Sequence, residues 1–295
     1  MTIRTKKELL CISLVWQNFL FPPVYLNEKK LRSELQGKTI LITGASFGIG
    51  EKLAYQLADL NIHLILVART EEKLLTMKKE IEGKAAKVSV FQADLRNSEE
   101  IQELLTFIHK LPGGIDFLVS NAGISIRRSL NNSLDRYHDV TRTMAINYLA
   151  PVQLLLSVIP LLEKNQGHVI NISTINVLLI PFPYWAAYQA SKTAFDTWFR
   201  SAAPELNAMG ISTTTIYLPL VKTRMILPTP AYQKLPAMSP DHVGRIICKA
   251  MYTKSRKYRP WWLIFGQFAS IIFRGIWELS TPAILRKRRN DKNNG

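Results

Sequence analysis

The sequence is poor in the residues that build disulfide frameworks and metal sites. Its 295 residues contain two cysteines, Cys11 and Cys248, which excludes a disulfide-rich fold and a zinc site of paired cysteines. The five histidines form no close pair, so we expect no metal. Glycine and proline number only 14 and 15, and 47% of residues are hydrophobic, which excludes a collagenous, low-complexity or disordered chain.

Acidic residues are also scarce relative to basic ones. The chain carries 38 Lys and Arg against 22 Asp and Glu, a net charge of +16. Residues 1–36 carry +3 and residues 249–295 carry +9, whereas the 212 residues 37–248 carry only +4. A nucleic-acid-binding domain would present a basic face across the fold, so we expect no nucleic-acid partner.

Short β-rich runs alternate with longer segments of helical spacing. The runs are continuously apolar, which is typical of parallel strands covered on both faces. They lie at Lys38–Thr43, His63–Arg69, Lys87–Asp94, Asp116–Gly123, His168–Thr174 and Ile211–Pro219. This order predicts an α/β fold with a doubly wound parallel sheet. Without a repeat or a linker, we expect a single dinucleotide-binding and catalytic domain at 37–252, an N-terminal arm at 1–36 and a C-terminal extension at 253–295.

Two uncharged stretches, residues 143–162 and 165–191, are long enough to span a bilayer. Polar residues and prolines interrupt both of them, among them Asn147 and Pro151 in the first and Asn171 and Pro181 in the second. We therefore predict buried helix and sheet segments at these positions.

A glycine-rich turn, Thr43–Gly50 (TGASFGIG), directly follows the first strand. Its glycines let the backbone turn sharply and approach a ligand closely. The next helix offers free N–H groups and the positive end of its dipole to a phosphate. We expect a dinucleotide diphosphate to be bound by Gly44, Ser46, Phe47, Gly48, Ile49 and Gly50.

Residues at the ends of the following strands are candidates for binding the rest of the dinucleotide. Arg69 ends the second strand, where a site for NAD usually has an acidic residue. Arginine suits the 2′-phosphate instead, so we expect NADP(H) to be preferred over NAD(H). Asp94, followed by Leu95, is placed to bind the adenine amino group. Asn121, Ala122 and Gly123 are placed to line the adenosine pocket.

Tyr188 and Lys192 lie four residues apart and project from one face of a predicted helix. A phenol has a pKa of about 10, and a nearby cation lowers that pKa. Two hydroxyl residues, Ser173 and Thr174, end the fifth strand, and Asn147 lies in the preceding helix. The pattern predicts an acid–base site for a carbonyl substrate and leaves open which hydroxyl binds the carbonyl oxygen.

Taken together, these motifs resemble those of the short-chain dehydrogenase/reductase family over roughly residues 36–250. The resemblance implies a Rossmann-type fold, hydride transfer with a nicotinamide cofactor and, as is common in the family, a homo-oligomer. It implies that Tyr188 donates the proton and that Lys192 lowers the tyrosine pKa and binds the nicotinamide ribose. It also implies that Asn147 holds a water and that Ser173 or Thr174 polarises the carbonyl. The interval before Tyr188 is one residue longer than the family pattern.

A narrower resemblance is to the bacterial fatty acyl-CoA reductases of this family. It rests on Asn121–Arg128, Asp135–Asp139, Arg142–Met144, Asn147-Tyr148, Tyr217–Met225 and Leu235–Asp241. We expect Pro219 and Thr223 to lie at the cofactor, and Ser239 and Pro240 to begin a helix. The resemblance implies reduction of a lipophilic long-chain acyl thioester or fatty aldehyde with NADPH. The alternatives are another lipophilic ketone or alcohol (steroid-like or 3-oxo-acyl), and a weakly catalytic NADP-binding protein associated with a membrane.

The loop Val177–Trp185 is strongly apolar and aromatic. It is either core or subunit contact, or the wall of a pocket for a lipid chain, and we favour the pocket slightly. The stretch Met225–Pro228 follows the sixth strand, where a substrate lid would lie.

The flanks suggest a membrane surface. Residues 260–273 are uncharged and Trp-rich, shorter than the about 20 residues that span a bilayer, and bracketed by Lys and Arg, with the basic run Arg286–Arg289 beyond. This pattern is typical of an interfacial segment on an anionic membrane. A helix packed on the domain or on a neighbouring subunit is the alternative. Residues 9–27 predict an arm docked on the domain or the membrane. Because NADPH is cytosolic, we expect a cytoplasmic protein at the inner membrane face.

Overall fold

The computed structural model describes residues 17–293 apart from 228, 230, 231, 233 and 234, with only the backbone at 288–293. In chain order its main elements are α1 (Glu28–Leu35), β1 (Thr39–Thr43), α2 (Gly48–Leu57), β2 (His63–Ala68), α3 (Glu71–Glu82), β3 (Lys87–Gln92), α4 (Ser98–His109), β4 (Phe117–Ser120), α5 (Tyr137–Met144), α6 (Ala150–Lys164), β5 (His168–Thr174), α7 (Ala186–Ala208), β6 (Ser212–Leu218), α8 (Pro240–Thr253), β7 (Lys257–Tyr258), α9 (Leu263–Ile272) and α10 (Arg274–Asn293). A π-helical turn, Ala145–Leu149, joins α5 to α6. All six predicted strands are present, and β7 is an addition.

The strands form one parallel sheet in the order β3-β2-β1-β4-β5-β6-β7. The chain builds one half of the sheet outwards from β1 and the other half outwards from β4. This arrangement confirms the predicted doubly wound sheet. The carboxyl ends of β1 and β4 meet where the strand order reverses, which is where sheets of this kind bind ligands.

Two apolar layers hold the helices against the sheet. The layer with α1, α2, α3 and α8 includes Leu53 and Ile247, and the layer with α4, α6 and α7 includes Leu154 and Phe199. Alternate residues of a strand enter opposite layers, and both sides are buried. This double burial is the physical reason for the continuously apolar runs in the sequence.

The first uncharged stretch and the part of the second that forms β5 pack in this core, as predicted, whereas residues 175–188 are half-buried or exposed. From α5 to α6 the chain forms one helix, Tyr137–Lys164, that is long and apolar enough to cross a membrane by composition. Its Leu154 and Val158 are nonetheless buried in the second layer, and β5 is buried along its whole length. Among the described residues, α9 and α10 also pass the same test together, but they meet at 84°.

Packed residues lie on both sides of 37–252. Phe21 and Leu35 are buried in the first layer, and β7 pairs with β6 just before the fully buried Leu263. The indole nitrogens of Trp261 and Trp262 donate to the carbonyls of Phe19 and Leu20, at 2.9 and 3.2 Å. The part of the N-terminal arm from residue 17 therefore docks on the domain. Residues 1–16 of that arm lie outside the described residues, and the domain bounds stay a prediction.

Candidate active site

A cavity of about 510 Å³ opens at the carboxyl ends of the central strands. Most of the predicted site residues line it: Gly44, Ser46, Phe47, Gly48, Ile49, Arg69, Leu95, Asn121, Ala122, Gly123, Ser173, Thr174, Tyr188, Lys192, Pro219 and Thr223. The other three, Gly50, Asp94 and Asn147, lie outside the wall. The topology therefore gathers residues from the carboxyl ends of six strands and from α7 around one space.

The glycine-rich turn after β1 depends on glycine at specific positions. Gly44 and Gly48 both have a φ of +64°, a conformation that other residues adopt at a cost. A Cβ on Gly44 would lie 2.9 Å from the Cα of Ala122. A Cβ on Gly50 would lie 2.5 Å from the carbonyl oxygen of Gly44, so Gly50 lets α2 pack against the turn.

The beginning of α2 fits a diphosphate. Its N-cap, Phe47, provides no side-chain hydrogen bond to the first amides of the helix, which carry the positive end of the dipole. The guanidinium of Arg224 lies 3.8 Å from the centroid of the Phe47 ring and adds positive charge beside the turn. Sequence analysis missed Arg224, because no motif residue marks it as a neighbour of Phe47.

Asn121 holds the turn in place. Its Nδ2 donates to the carbonyl oxygens of Thr43, at 2.9 Å, and Gly44, at 3.1 Å. In return, the Thr43 hydroxyl accepts from the amides of Asn121 and Ala122, both at 3.0 Å. The side-chain amide and the backbone N–H of Asn121 thus both help to join the ends of β1 and β4, the two strands where the strand order reverses.

Arginines and carboxylates lie together where β2 and β3 end. The Arg69 side chain is exposed and lines the cavity. Asp94 lies beside the cavity wall and pairs with the guanidinium of Arg96. A hydrogen bond from Arg96 and the charges of both arginines lower the pKa of Asp94 despite its partial burial. Its contact with adenine stays a prediction, and the neighbouring Leu95 is the residue in the wall.

The two hydroxyls at the end of β5 have different partners. The Thr174 hydroxyl accepts from the Asn176 amide at 3.3 Å and faces Tyr188, whose pKa it lowers. The Ser173 hydroxyl instead donates to Asp196 Oδ1 at 3.5 Å. Consecutive strand residues point in different directions, so only one of the two hydroxyls meets the tyrosine. The geometry therefore distinguishes two residues that the sequence left equivalent.

Burial dominates the protonation of Tyr188 and Lys192. Desolvation raises the pKa of Tyr188 to about 12, although the hydrogen bond with Thr174 opposes the rise. Desolvation also lowers the pKa of Lys192 to about 8, and its Nζ donates to the Ile172 carbonyl at 3.2 Å. The lowered tyrosine pKa expected from the sequence is therefore wrong for the protein chain by itself. At neutral pH Tyr188 keeps its proton and Lys192 is mainly charged.

Asn147 lies in the π-helical turn and is almost fully buried. Its Nδ2 donates to the Ile124 carbonyl at 2.9 Å and to the Ser191 hydroxyl at 3.0 Å. Its Oδ1 accepts from the Ile124 amide at 3.0 Å. Asn147 therefore ties the segment after β4 to α7. Its predicted role in holding a water stays a prediction.

Aromatic side chains form part of the cavity wall. Trp185 stacks on Tyr232 with ring centroids 5.8 Å apart and lies edge-on to Tyr188. Met225 and Ile226, from the predicted lid, also line the cavity, whereas Pro228 lies outside the described residues. Sequence analysis missed Tyr232, which belongs to none of the family motifs.

The rest of the apolar loop before α7 contacts the C-terminal helices. The Ile180 amide donates to the Ser270 hydroxyl at 3.3 Å, and the Trp277 indole donates to the Pro181 carbonyl at 3.3 Å. The Phe182 ring packs edge-on against Trp277. Among residues 177–185, Trp185 alone lines the cavity. Of the two interpretations of this loop, contact with other elements therefore holds for most of it.

Known proteins share this arrangement. Residues 38–234 match the model of the short chain dehydrogenase family. The chain belongs to this family. A fatty acyl-CoA reductase of Acinetobacter baylyi is 39% identical over 247 residues, covering 83% of this chain and 82% of that protein. A fatty acyl-CoA reductase of Mycobacterium tuberculosis is 38% identical, covering 81% and 82% respectively.

A solved structure gives the same picture. A metagenomic short-chain oxidoreductase in complex with NADP is 27% identical, with a TM-score of 0.65. The match covers 76% of this chain and 97% of that one. The predicted family, Rossmann-type fold and resemblance to fatty acyl-CoA reductases are confirmed. This member of the short-chain dehydrogenase family is an oxidoreductase that uses a nicotinamide cofactor.

Proposed function

We propose that this oxidoreductase uses NADPH to reduce a long-chain acyl thioester or the derived fatty aldehyde, a step of lipid metabolism. The observation that carries the proposal is that Thr174 and Tyr188 line the same cavity as the apolar side chains of Trp185, Met225 and Ile226. Lipid-binding pockets combine such a wall with a few converging polar groups. The two relatives named as fatty acyl-CoA reductases support the same substrate class.

The chain's own side chains would orient the substrate and move the proton. The bound cofactor supplies a hydride to the carbonyl carbon. The Thr174 hydroxyl donates a hydrogen bond to the carbonyl oxygen, and Tyr188 transfers its proton to that oxygen as negative charge develops. Charged Lys192 stabilises the phenolate that remains. An aldehyde gives an alcohol, and a thioester gives an aldehyde after loss of the thiol.

A substrate panel tests this proposal. NADPH oxidation would be followed with dodecanoyl- to octadecanoyl-CoA, the matching fatty aldehydes, steroid-like ketones and 3-oxo-acyl compounds. We expect turnover with the acyl-CoA or aldehyde series and its loss in Tyr188→Phe. Turnover confined to ketones would identify a ketone, instead of an acyl thioester or aldehyde, as the substrate. NADPH binding with no turnover of any carbonyl would favour a weakly catalytic binding protein.

The preference for NADP(H) is a separate proposal that rests on Arg69. The exposed guanidinium of Arg69 lines the cavity at the end of β2, where a 2′-phosphate would lie, and the nearby Asp94 carboxylate is already paired with Arg96. We expect Arg69→Gln to raise the KM for NADPH about tenfold and to leave the KM for NADH unchanged. Lys79→Gln, which removes an exposed charge from α3, is the control. Equal effects on both cofactors would contradict the assignment.

We also propose that α9 and α10 dock on an anionic membrane. Their exposed apolar side chains are Ile264, Phe265, Phe268, Ile271, Ile272, Phe273, Ile276, Leu279 and Ile284. Arg256, Lys257 and Arg274 border this surface, and Arg286 and Lys287 follow it. An exposed apolar patch beside basic residues matches the interface of a bilayer that carries anionic lipids. Because the expected cofactor is cytosolic, the site proposed is the cytoplasmic face.

Vesicle sedimentation tests the docking. The triple variant Phe265→Ser, Phe268→Ser, Ile271→Ser changes only exposed side chains, so we expect it to fold. It should lose co-sedimentation with phosphatidylglycerol vesicles, whereas Leu75→Ser on α3 should sediment like the wild type. Unchanged sedimentation would refute the proposal. A change in oligomeric state without a change in sedimentation would identify the surface as a subunit contact in a homo-oligomer.

A further inference from the structure

The segment after β4 leads from the cavity wall to its rim. Ile124 and Ser125 line the cavity. The Arg128 amide donates to the Tyr184 carbonyl at 2.8 Å, which fixes this segment against the loop before α7. Two residues of extended chain span about 7 Å, so the backbone of Arg127 lies within that distance of the wall at Ser125.

Arg127 presents an uncompensated positive charge at this rim. Its side chain is exposed, and its guanidinium lies 5.0 Å from the centroid of the Tyr184 ring. Within the described part of the chain no carboxylate pairs with it. Burial raises the pKa of Tyr232, a residue of the cavity wall, and the charge of Arg127 lowers it. The guanidinium therefore lies close to the cavity wall.

The backbone at this rim is strained. Tyr184 has a φ of +73° without being glycine. Such strain clusters at ligand sites. The residue whose ring contacts the Arg127 guanidinium thus has an unfavourable backbone conformation. The Arg128 amide helps to hold it there by donating to the Tyr184 carbonyl.

A second group of arginines reinforces the positive charge. Arg128, Arg136 and Arg142 surround the buried carboxylate of Asp139 at 2.8, 3.3 and 2.6 Å. Three guanidiniums against one carboxylate leave two positive charges in excess beside Arg127. These residues belong to the stretches Asn121–Arg128, Asp135–Asp139 and Arg142–Met144, and the hydride-transfer chemistry gives no reason for their arginines.

We propose that Arg127 binds the diphosphate of the coenzyme A portion of an acyl-CoA substrate at the cavity rim. Guanidinium groups bind phosphate oxygens through two parallel, charge-assisted hydrogen bonds. In the loop before α7, Tyr184 contacts the cationic Arg127, whereas Phe182 makes an apolar contact with α10. An acyl-CoA has the same division between an anionic carrier and an apolar chain. The inference rests on the proposed reduction of acyl thioesters and selects the thioester as the preferred substrate.

Paired substrates of one chain length test the inference. For Arg127→Gln we expect the KM for hexadecanoyl-CoA to rise about tenfold, as for the loss of one charge-assisted hydrogen bond. The KM for hexadecanal and for NADPH should stay within twofold. Arg127→Lys keeps the charge and should recover part of the affinity, and Lys79→Gln is the control for net charge. Equal losses with the thioester and the aldehyde would overturn the inference.

A binding measurement separates this inference from the proposed function. With the cofactor site saturated by NADP⁺, calorimetric titration with coenzyme A should show binding that weakens in Arg127→Gln and at high salt. Aldehyde turnover without coenzyme A binding would overturn the inference and leave the reductase proposal standing. Coenzyme A binding without turnover would support the rim site and count against the reductase proposal. If Arg127→Gln lowered activity only with thioesters of an acyl carrier protein, the inference would be overturned in favour of a protein partner.

Discussion

The two halves of the cavity are built from different parts of the chain. The half at β1 and β4 is shaped mainly by backbone, with glycines at 44 and 48 in a turn that the side-chain amide of Asn121 holds in place. The half at β5 and α7 is shaped by side chains, among them Thr174 and Tyr188. Backbone geometry and side-chain chemistry can therefore be altered separately. We expect changes in the first half to weaken cofactor binding and changes in the second half to slow turnover.

The largest effect is expected from the hydroxyl that meets Tyr188. Thr174→Val keeps the shape of the side chain and removes the hydrogen bond to the reacting oxygen. We expect kcat/KM to fall about 10²- to 10³-fold, the usual loss for one such donor, with the NADPH Kd unchanged. Steady-state kinetics and fluorescence titration of NADPH measure the two quantities.

Ser173→Ala is the matched control for this prediction. It removes the neighbouring hydroxyl, whose partner is Asp196. We expect kcat/KM to stay within about threefold of the wild type, because the hydrogen bond from Ser173 to Asp196 is long and does not involve Tyr188. A larger loss in Ser173→Ala than in Thr174→Val would reverse the assignment of the catalytic hydroxyl.

A smaller effect, on binding rather than turnover, is expected in the backbone half. Gly44→Ala places a Cβ at a φ of +64° and 2.9 Å from the Cα of Ala122. We expect the Kd for NADPH to rise at least about tenfold and the free energy of unfolding to drop by about 1–3 kcal/mol. Titration of NADPH and urea denaturation provide the two measurements.

Gly37 offers a control with the same strain and free space. Its φ is +71°, and a Cβ there would meet nothing within 4 Å. Gly37→Ala should lower the free energy of unfolding by about 1–2 kcal/mol through strain alone and leave NADPH binding unchanged. Equal NADPH affinity in the Gly37→Ala and Gly44→Ala variants would show that the turn does not shape the nucleotide site.

The smallest effect is a pH dependence that arises where the two halves meet. The pKa of Lys192 is lowered to about 8, so its charge is present below that pH and lost above it. We expect kcat/KM for carbonyl reduction to be level near neutral pH and about tenfold lower one unit above the pKa. Tyr188, with a pKa of about 12, stays protonated across this range. A profile that is flat up to pH 10 would contradict the requirement for charged Lys192.

Much of the fold could be predicted because parallel strands buried on both faces leave continuous apolar runs. The strand β7 could not, because two residues, Lys257 and Tyr258, carry no periodicity. The Arg96 partner of Asp94 was also missed, since the chemistry of two neighbouring side chains does not reveal that they bind each other. For the loop at residues 177–185 the sequence favours the pocket only slightly, and it does not reveal the contacts with α9 and α10, because these contacts join distant parts of the chain.

By itself, the sequence determined the strand order along the chain, the glycine-rich turn and the pairing of Tyr188 with Lys192, because each depends on local spacing. Tertiary structure alone decided that Thr174 rather than Ser173 meets Tyr188, and that burial raises the tyrosine pKa. It also brought Arg224 to Phe47 and placed Arg127 against Tyr184 at the cavity rim. Desolvation and long-range charge depend on what surrounds a group in space, and spacing along the chain does not encode those surroundings.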